Sequence, residues 1–136
     1  MPDKPRILLV DDEPSIVMMV GKRLEVSGFD VVIARDGAEG LQKAQTESPD
    51  LIILDLMLPK MNGYEVCTTL KQDSRYRNIP IVLFTAKAQQ KDEDLGRQCG
   101  ADGYLRKPFK AEELLGQIRI LLQRASTNEP APPSTP

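Results

Sequence analysis

The chain has 136 residues, of which 40% are hydrophobic and 28% are charged, as is ordinary for one globular domain with a single core. Its formal charge of −2 and aromatic content of 4% provide neither a basic field nor a stacking surface for nucleic acid. No apolar run approaches the roughly 20 residues of a membrane span, and the first residues lack a secretory signal, so we expect a cytoplasmic protein. Histidine is absent, which excludes His-ligated zinc, Ser-His or Cys-His nucleophile pairs, and phosphohistidine.

Short apolar runs and helical patterns alternate five times along the chain. The predicted strands are residues 6–10, 31–34, 51–54, 81–84 and 103–105. The predicted helices are residues 14–26, a helix bearing Leu41 and Ala44 that ends before Pro49, a helix bearing Val66 and Leu70, residues 91–98, and residues 112–124. In the first helix Ile16, Val20 and Leu24 recur at helical spacing, and Pro14 suits its first turn.

Several of these strands are continuously apolar, which indicates burial on both faces of a sheet. Strands and helices that alternate with short links form right-handed βαβ units and therefore a parallel sheet covered by helices. We predict one α/β domain over residues 1–124, a five-stranded doubly wound three-layer sandwich. Residues 125–136 are rich in Ser, Thr, Asn and Pro, so we expect a disordered tail or the beginning of a linker there.

The two cysteines, Cys67 and Cys99, are far apart in the sequence and outside any metal-binding spacing. Because disulfides are rare in the cytoplasm, we expect both to be reduced thiols in the core or at the surface.

Polar residues directly follow four of the predicted strands. They are Asp11 and Asp12, Asp55, Thr85, and Lys107. The carboxyl ends of parallel strands share one edge, where ligands bind, so we expect these side chains to converge. Three neighbouring carboxylates repel one another, and oxygen ligands without histidine or thiolate favour Mg²⁺. Asp55 or Asp12 alone would be a common loop or helix cap, so it is the complete set that indicates chemistry.

A carboxylate beside a bound cation can accept a phosphoryl group as an acyl phosphate. The transition state of this transfer spreads negative charge over three equatorial oxygens. We expect the cation, the Lys107 ammonium and the Thr85 hydroxyl with nearby backbone N–H groups to meet these oxygens. Lysine suits this role because its compact charge can reach either a carboxylate or a phosphate.

The chain resembles the CheY-like receiver domain of two-component response regulators from about Arg6 to Gln123. The matching strings are Ile7-Leu-Leu-Val-Asp-Asp-Glu13, Asp55-Leu-Met-Leu-Pro-Lys-Met-Asn-Gly63, Thr85-Ala86 and Gly100-Ala-Asp-Gly-Tyr-Leu-Arg-Lys-Pro-Phe109. The resemblance implies a flavodoxin-like strand order. It also implies a signalling switch, phosphorylated by a partner histidine kinase or phosphotransfer protein, that catalyses only its own phosphorylation and dephosphorylation.

The resemblance assigns the acidic residues separate roles. It makes Asp55 the phosphoacceptor, and it makes Asp12 and Asp55 direct Mg²⁺ ligands. Asp11 then assists mainly through water, and the backbone carbonyl of Met57 completes the protein's share of the coordination.

The resemblance also assigns a switch. Thr85 is the signalling hydroxyl, Lys107 is the phosphate-binding lysine, and a cis bond is implied at Lys107-Pro108. Tyr104 matches the switch aromatic, whose ring turns inward when Thr85 moves toward the phosphate. The signal would then be read on the face formed by the fourth helix, the fifth strand and the last helix.

The downstream partner is a protein target or an output domain, and no DNA-binding motif occurs in the sequence. The fifth-strand and last-helix strings look like receivers of winged-helix transcription factors, which pair through that face. The chain is therefore either a stand-alone regulator or the receiver piece of a longer DNA-binding regulator. In the paired form, Asp102 and Arg119 could form ion pairs across the dimer.

Two positions tune the lifetime of the phosphoryl group in this family, and here they hold Met57 and Lys87. Neither side chain is a carboxamide or carboxylate that orients an attacking water, so we expect slow self-dephosphorylation. Met57 also argues against a Mg²⁺-dependent aspartyl phosphatase, because such an enzyme needs an acid/base aspartate at this position. A flavodoxin-like carrier would instead need a Ser/Thr/Gly-rich phosphate loop after the first strand.

Overall fold

The computed structural model describes residues 4–85 and 99–126, apart from the side chains of Thr85 and Ser126. The strands in these residues are β1 (Arg6–Val10), β2 (Asp30–Ala34), β3 (Leu51–Asp55), β4 (Ile81–Thr85) and β5 (Gly103–Arg106). The helices are α1 (Pro14–Val26), α2 (Gly37–Thr46), α3 (Gly63–Lys71) and a C-terminal helix (Ala111–Ser126). The helix predicted over residues 91–98 lies outside the described residues.

All five strands pair in parallel in the order β2-β1-β3-β4-β5, which confirms the predicted doubly wound sheet and its flavodoxin-like order. The chain runs from β1 to β2 on one side and then crosses to β3 on the other side of β1. The strand order therefore reverses between β1 and β3, which pair in register from Ile7 with Leu51 to Val10 with Leu54. Their carboxyl ends form the crevice in which such sheets bind ligands.

The two faces of the sheet carry separate hydrophobic clusters, as expected for a three-layer sandwich. One cluster joins Ile7, Leu9, Ile53 and Phe84 to residues of α1 and the C-terminal helix. The other joins Leu8, Val10, Ile52 and Leu54 to residues of α2 and α3. β1 and β3 therefore bury side chains on both faces. Among the helices in residues 4–85 and 99–126, none is long and apolar enough to cross a bilayer.

The element ends differ slightly from the predicted ones. β3 and β4 each continue one residue further, because Asp55 still pairs with Phe84 and Thr85 with Arg106 in the parallel ladder. The C-terminal helix runs past Arg124 to Ser126. Side-chain caps set the starts of two other helices. Asp36 caps α2, and a capping box of Asn62 and Glu65 begins α3.

The loop between β3 and α3 packs closely on the first turn of α2. The Gly37 N–H donates to the Pro59 carbonyl oxygen at 3.3 Å, and a Cβ added at Gly37 would overlap the Met61 carbonyl oxygen. Only a residue without a side chain allows the two backbones to come this close. The contact fixes the loop that begins beside Asp55.

We expect Gly37→Ala to lower the free energy of unfolding by about 1–3 kcal/mol, because a backbone carbonyl cannot move away without shifting the loop. Urea unfolding followed by circular dichroism measures this change. Gly21→Ala in α1 is the control, because a Cβ there meets no atom within 4 Å. We expect the free energy of unfolding of that variant to rise by about 0.5–1 kcal/mol, because alanine has a higher helix propensity than glycine. Equal stabilities of Gly37→Ala and the wild type would contradict the packing argument.

Candidate functional site

Three carboxylates meet at the carboxyl ends of β1 and β3. One oxygen from each of Asp11, Asp12 and Asp55 lies within 4.8 Å of the others. Asp11 and Asp12 directly follow β1, and Asp55 is the last residue of β3, so the parallel register of these neighbouring strands brings them together. Asp11 is fully buried and Asp55 is 6% exposed, whereas Asp12 is exposed to solvent.

The ammonium of Lys107 enters this cluster from the end of β5. Its Nζ lies 2.9 Å from Asp11 Oδ2 and 3.6 Å from Asp55 Oδ2. Burial by itself would lower the pKa of Lys107, but its hydrogen bond to Asp11 and the charges of Asp55 and Asp11 outweigh burial and raise the pKa. Lys107 is therefore a fixed positive charge. The peptide bond that follows it, Lys107-Pro108, is cis.

The environment of Asp55 disfavours the ionised form of its carboxyl group. Its pKa is raised to about 6, first by desolvation and then by the charge of Asp11, while Lys107 and the Met57 N–H act in the opposite direction. That N–H donates to Asp55 Oδ1 at 3.3 Å. Among the described side chains, three carboxylates face one ammonium at this site, which leaves an excess of two negative charges in this group. A divalent cation would neutralise this excess.

Asp11 and Asp12 differ in whether their carboxylate oxygens already accept hydrogen bonds. Asp11 Oδ2 accepts from Lys107, and its Oδ1 accepts from the Glu13 N–H at 3.0 Å. Asp12 instead borders a cleft of about 390 Å³, together with Met57 and other residues of the loop after β3. Met57 is 62% exposed at the edge of this cleft. Asp12 is therefore the more accessible carboxylate of the two.

Thr85 and Tyr104 lie on the neighbouring strands β4 and β5. Thr85 ends β4, one residue beyond the Phe84 that pairs with Asp55, and its side chain is not among those described. Tyr104 pairs with Leu83, and its half-buried ring packs on the hydrophobic cluster beneath α2 and α3. It also borders a cleft of about 260 Å³ between β5 and the C-terminal helix, lined in part by Ile120 and Arg124.

An aromatic pair beside the lysine was not among the residues that the sequence indicated. Lys107 Nζ lies 5.5 Å from the centroid of the Phe84 ring, and the Phe84 and Phe109 rings are 4.8 Å apart. Phe109 directly follows Lys107-Pro108, which was the available signal. Phe84 gave none, because the predicted strand over residues 81–84 is apolar throughout. The Phe84 ring therefore lies over one side of the ammonium, and Phe109 packs against this ring.

The fold and the site define a flavodoxin-like α/β domain with an acidic centre and a partly buried lysine at the point where the strand order reverses. The family profile of the response regulator receiver domain matches residues 7–119. The chain is 47% identical over 126 residues to the alkaline phosphatase synthesis transcriptional regulatory protein PhoP of Bacillus subtilis, covering 93% of this chain and 52% of that protein. It therefore spans about half the length of this relative.

Solved structures agree with the family profile. A CheY-like receiver domain protein from Methanospirillum hungatei superposes with a TM-score of 0.86 at 30% identity, over 92% of this chain and 98% of that one. The receiver domain of the sensor histidine kinase PA1611 from Pseudomonas aeruginosa, solved with a magnesium ion in its active site cleft, gives 0.80 at 32% identity, over 90% and 98%. The chain belongs to the response regulator receiver domain family and is a receiver domain of the two-component type. Such domains are signalling switches.

The raised pKa of Asp55 has a consequence for stability in metal-free solution. An unfolded aspartate ionises near the ordinary value of 3.8, whereas folded Asp55 ionises near 6. Between these values the folded protein binds more protons, so ionisation of Asp55 destabilises the fold as pH rises through this window. We expect Asp55→Asn to be more stable than the wild type by about 1–3 kcal/mol at pH 7, and this gain to vanish near pH 4.

Urea unfolding at both pH values, with a chelator present, tests this expectation. Asp73→Asn is the matched control, because the hydrogen bonds from Arg75 lower the pKa of Asp73. That replacement should not stabilise the protein at either pH. An Asp55→Asn variant that is no more stable than the wild type at pH 7 would contradict the electrostatic description of the site.

Proposed function

We propose that Asp55 is the phosphoacceptor of this receiver domain. It takes a phosphoryl group from a partner histidine kinase or phosphotransfer protein, and the modification switches the surface of the domain. The observation that carries this proposal is the position of Asp55, which is nearly buried at the switch point. Asp11 and Asp12 lie within 4.8 Å and the Lys107 ammonium lies 3.6 Å away. Burial of a carboxylate in this setting is energetically unfavourable, which argues against a merely structural role for it.

The acidic cluster fits Mg²⁺, which prefers a few carboxylates and retains several waters. Asp12 and Asp55 would supply direct ligands, because both oxygens of Asp11 already accept hydrogen bonds. Asp11 would then assist through water, and the Met57 carbonyl would complete the protein's ligands. The magnesium ion in the active site cleft of the Pseudomonas receiver domain supports Mg²⁺ as the cation. When bound, the cation would neutralise charge on the phosphoryl oxygens.

The phosphoryl transfer itself uses the residues of this chain. An Asp55 carboxylate oxygen attacks the phosphorus of the donor phosphohistidine, a P–O bond forms, and the P–N bond to the departing imidazole breaks. Lys107 faces Asp55 and meets one phosphoryl oxygen with its fixed charge. The Thr85 hydroxyl meets another. The chain thus catalyses only its own phosphorylation and dephosphorylation.

We place the output of the switch on the surface around β5 and the C-terminal helix, together with the helix predicted over residues 91–98. Tyr104 and Ile120 border the cleft there, and Ile120 is 55% exposed. This surface would bind a downstream protein or output domain, or a second phosphorylated copy. In the paired form Asp102 and Arg119 could form ion pairs across the dimer, in addition to the contact of Asp102 Oδ2 with Lys71 Nζ at 2.8 Å within the same molecule.

A cytoplasmic transcriptional regulator of greater length is the second hypothesis for the setting of this domain. The chain spans 52% of PhoP and 50% of RpaA from Synechocystis, whose names describe transcriptional regulators. In such a protein a separate output domain would bind DNA. Both settings use the same phosphorylation site.

We expect the protein to gain one phosphoryl group when incubated with acetyl phosphate and Mg²⁺, because Asp55 faces both the cation ligands and Lys107. Intact-protein mass spectrometry measures the adduct. Asp55→Asn and omission of Mg²⁺ should each abolish it, whereas the Asp73→Asn control should retain it. A folded wild-type protein that gains no phosphoryl group would overturn the proposal, as would an Asp55→Asn variant that still gains one.

We expect the phosphorylated protein to decay slowly and Met57→Asn to decay several-fold faster, because a carboxamide beside Asp55 can orient an attacking water. Met57 is 62% exposed, so the substitution removes few contacts and we expect the variant to fold. The measurement is the loss of phosphoprotein mass with time at neutral pH in Mg²⁺. Met57→Leu, which cannot orient water, should decay at the wild-type rate. Equal rates for Met57→Asn and the wild type would refute this role.

A further inference from the structure

The two cysteines meet in the fold although 32 positions separate them in the chain. Cys67 lies on the buried face of α3, and its Sγ donates a hydrogen bond to the Cys99 carbonyl oxygen at 3.4 Å. Cys99 stands in the turn that leads into β5. Both residues belong to the hydrophobic cluster beneath α2 and α3, with exposures of 0% and 7%. Each is a thiol in the structure.

A second contact, one helical turn along α3, holds the same part of the chain in place. Lys71 Nζ lies 2.8 Å from Asp102 Oδ2 and donates to the Ile79 carbonyl oxygen at 2.9 Å. Asp102 Oδ2 also accepts from the Ile81 N–H at 2.9 Å. α3 therefore holds the turn at residues 99–102 at two points. The proximity of the two cysteines does not depend on the thiol contact alone.

The environment makes the two thiols chemically unequal. The side-chain hydrogen bond with Cys67 lowers the pKa of Cys99 to about 7, against the opposing effect of burial. The same hydrogen bond and burial raise the pKa of Cys67. Cys99 is therefore the thiol of the pair that ionises more readily, and Cys67 is the one that retains its proton. A nucleophilic thiolate next to a protonated thiol is the arrangement of an attacking and a resolving cysteine.

We propose that Cys67 and Cys99 form a reversible intramolecular disulfide when the protein meets a peroxide. The Cys99 thiolate attacks one oxygen of hydrogen peroxide, the O–O bond breaks, and hydroxide leaves, so that Cys99 becomes a sulfenic acid. The Cys67 sulfur then attacks this sulfur and loses its proton, and the S–S bond forms as water departs. In total, two thiols are oxidised and one peroxide is reduced to two waters.

The bond would join α3 covalently to the turn before β5. Cys99 lies only a few residues ahead of Tyr104, so the disulfide would fix the beginning of the strand that carries this ring relative to α3. The inference does not depend on phosphorylation of Asp55, because neither cysteine contributes to the acidic cluster at the opposite end of these strands. Failure of one proposal would leave the other standing.

Oxidation of the full chain tests the proposal directly. The reduced protein is treated with hydrogen peroxide, remaining thiols are alkylated, and the intact mass is measured. Because the chain has only two cysteines, a monomer lighter by two hydrogen atoms and carrying no alkyl group contains this one disulfide. We expect that product, and we expect dithiothreitol to restore two alkylatable thiols. Trypsin should release residues 61–71 linked to residues 98–106.

Two variants provide controls. Cys67→Ser and Cys99→Ser should each abolish the loss of two hydrogens, and Cys67→Ser should stop at the sulfenic acid or higher oxides on Cys99. The peptide map of the wild type is decisive even where a variant folds poorly. Disulfide-linked dimers, oxygen added to the cysteines without cross-linking, or two thiols still alkylated after peroxide treatment would each overturn the proposal.

Discussion

The ion pair between Lys107 and Asp11 is the constraint on which the site depends. Asp11 is fully buried, and a buried carboxylate is tolerated only when its charge is compensated. The compensating ammonium comes from the other end of the chain, 96 positions away, at 2.9 Å. The pair joins the carboxyl ends of β1 and β5 across β3 and β4. It also places Lys107 3.6 Å from Asp55, where its charge can act on a group bound there.

The order of the strands explains why this arrangement is possible. β1 and β3 are adjacent at the point where the strand order reverses, so the acidic residues at the carboxyl ends of these strands lie close together. Desolvation and mutual repulsion then keep the site under electrostatic stress, as the raised pKa of Asp55 shows. Packing interactions around the site offset this destabilisation. The capping box of α3 and the close backbone approach at Gly37 hold the loop after Asp55 in place.

α3 connects two parts of the molecule that differ in chemistry. Its first turn follows the loop that leaves Asp55, whereas its last two turns contact the turn before β5 through Cys67 and Lys71. The acidic centre and the cysteine pair are therefore separate sites on one framework, with Tyr104 on the strand that follows the second of them.

The sequence by itself determined the layered α/β fold and the acidic edge, because both follow from local patterns: apolar runs, helical periodicity, and the residues that follow each strand. Tertiary structure decided the contacts between segments distant in the chain. These include the choice of Asp11 as the closer partner of Lys107, the position of Phe84 beside the ammonium, and the pairing of Asp102 with Lys71. Cys67 and Cys99 are reduced thiols in the core, as expected, but their proximity to one another follows only from the tertiary structure. Such contacts depend on strand register and helix packing, in which residues far apart in sequence share one buried volume, and no local pattern encodes them.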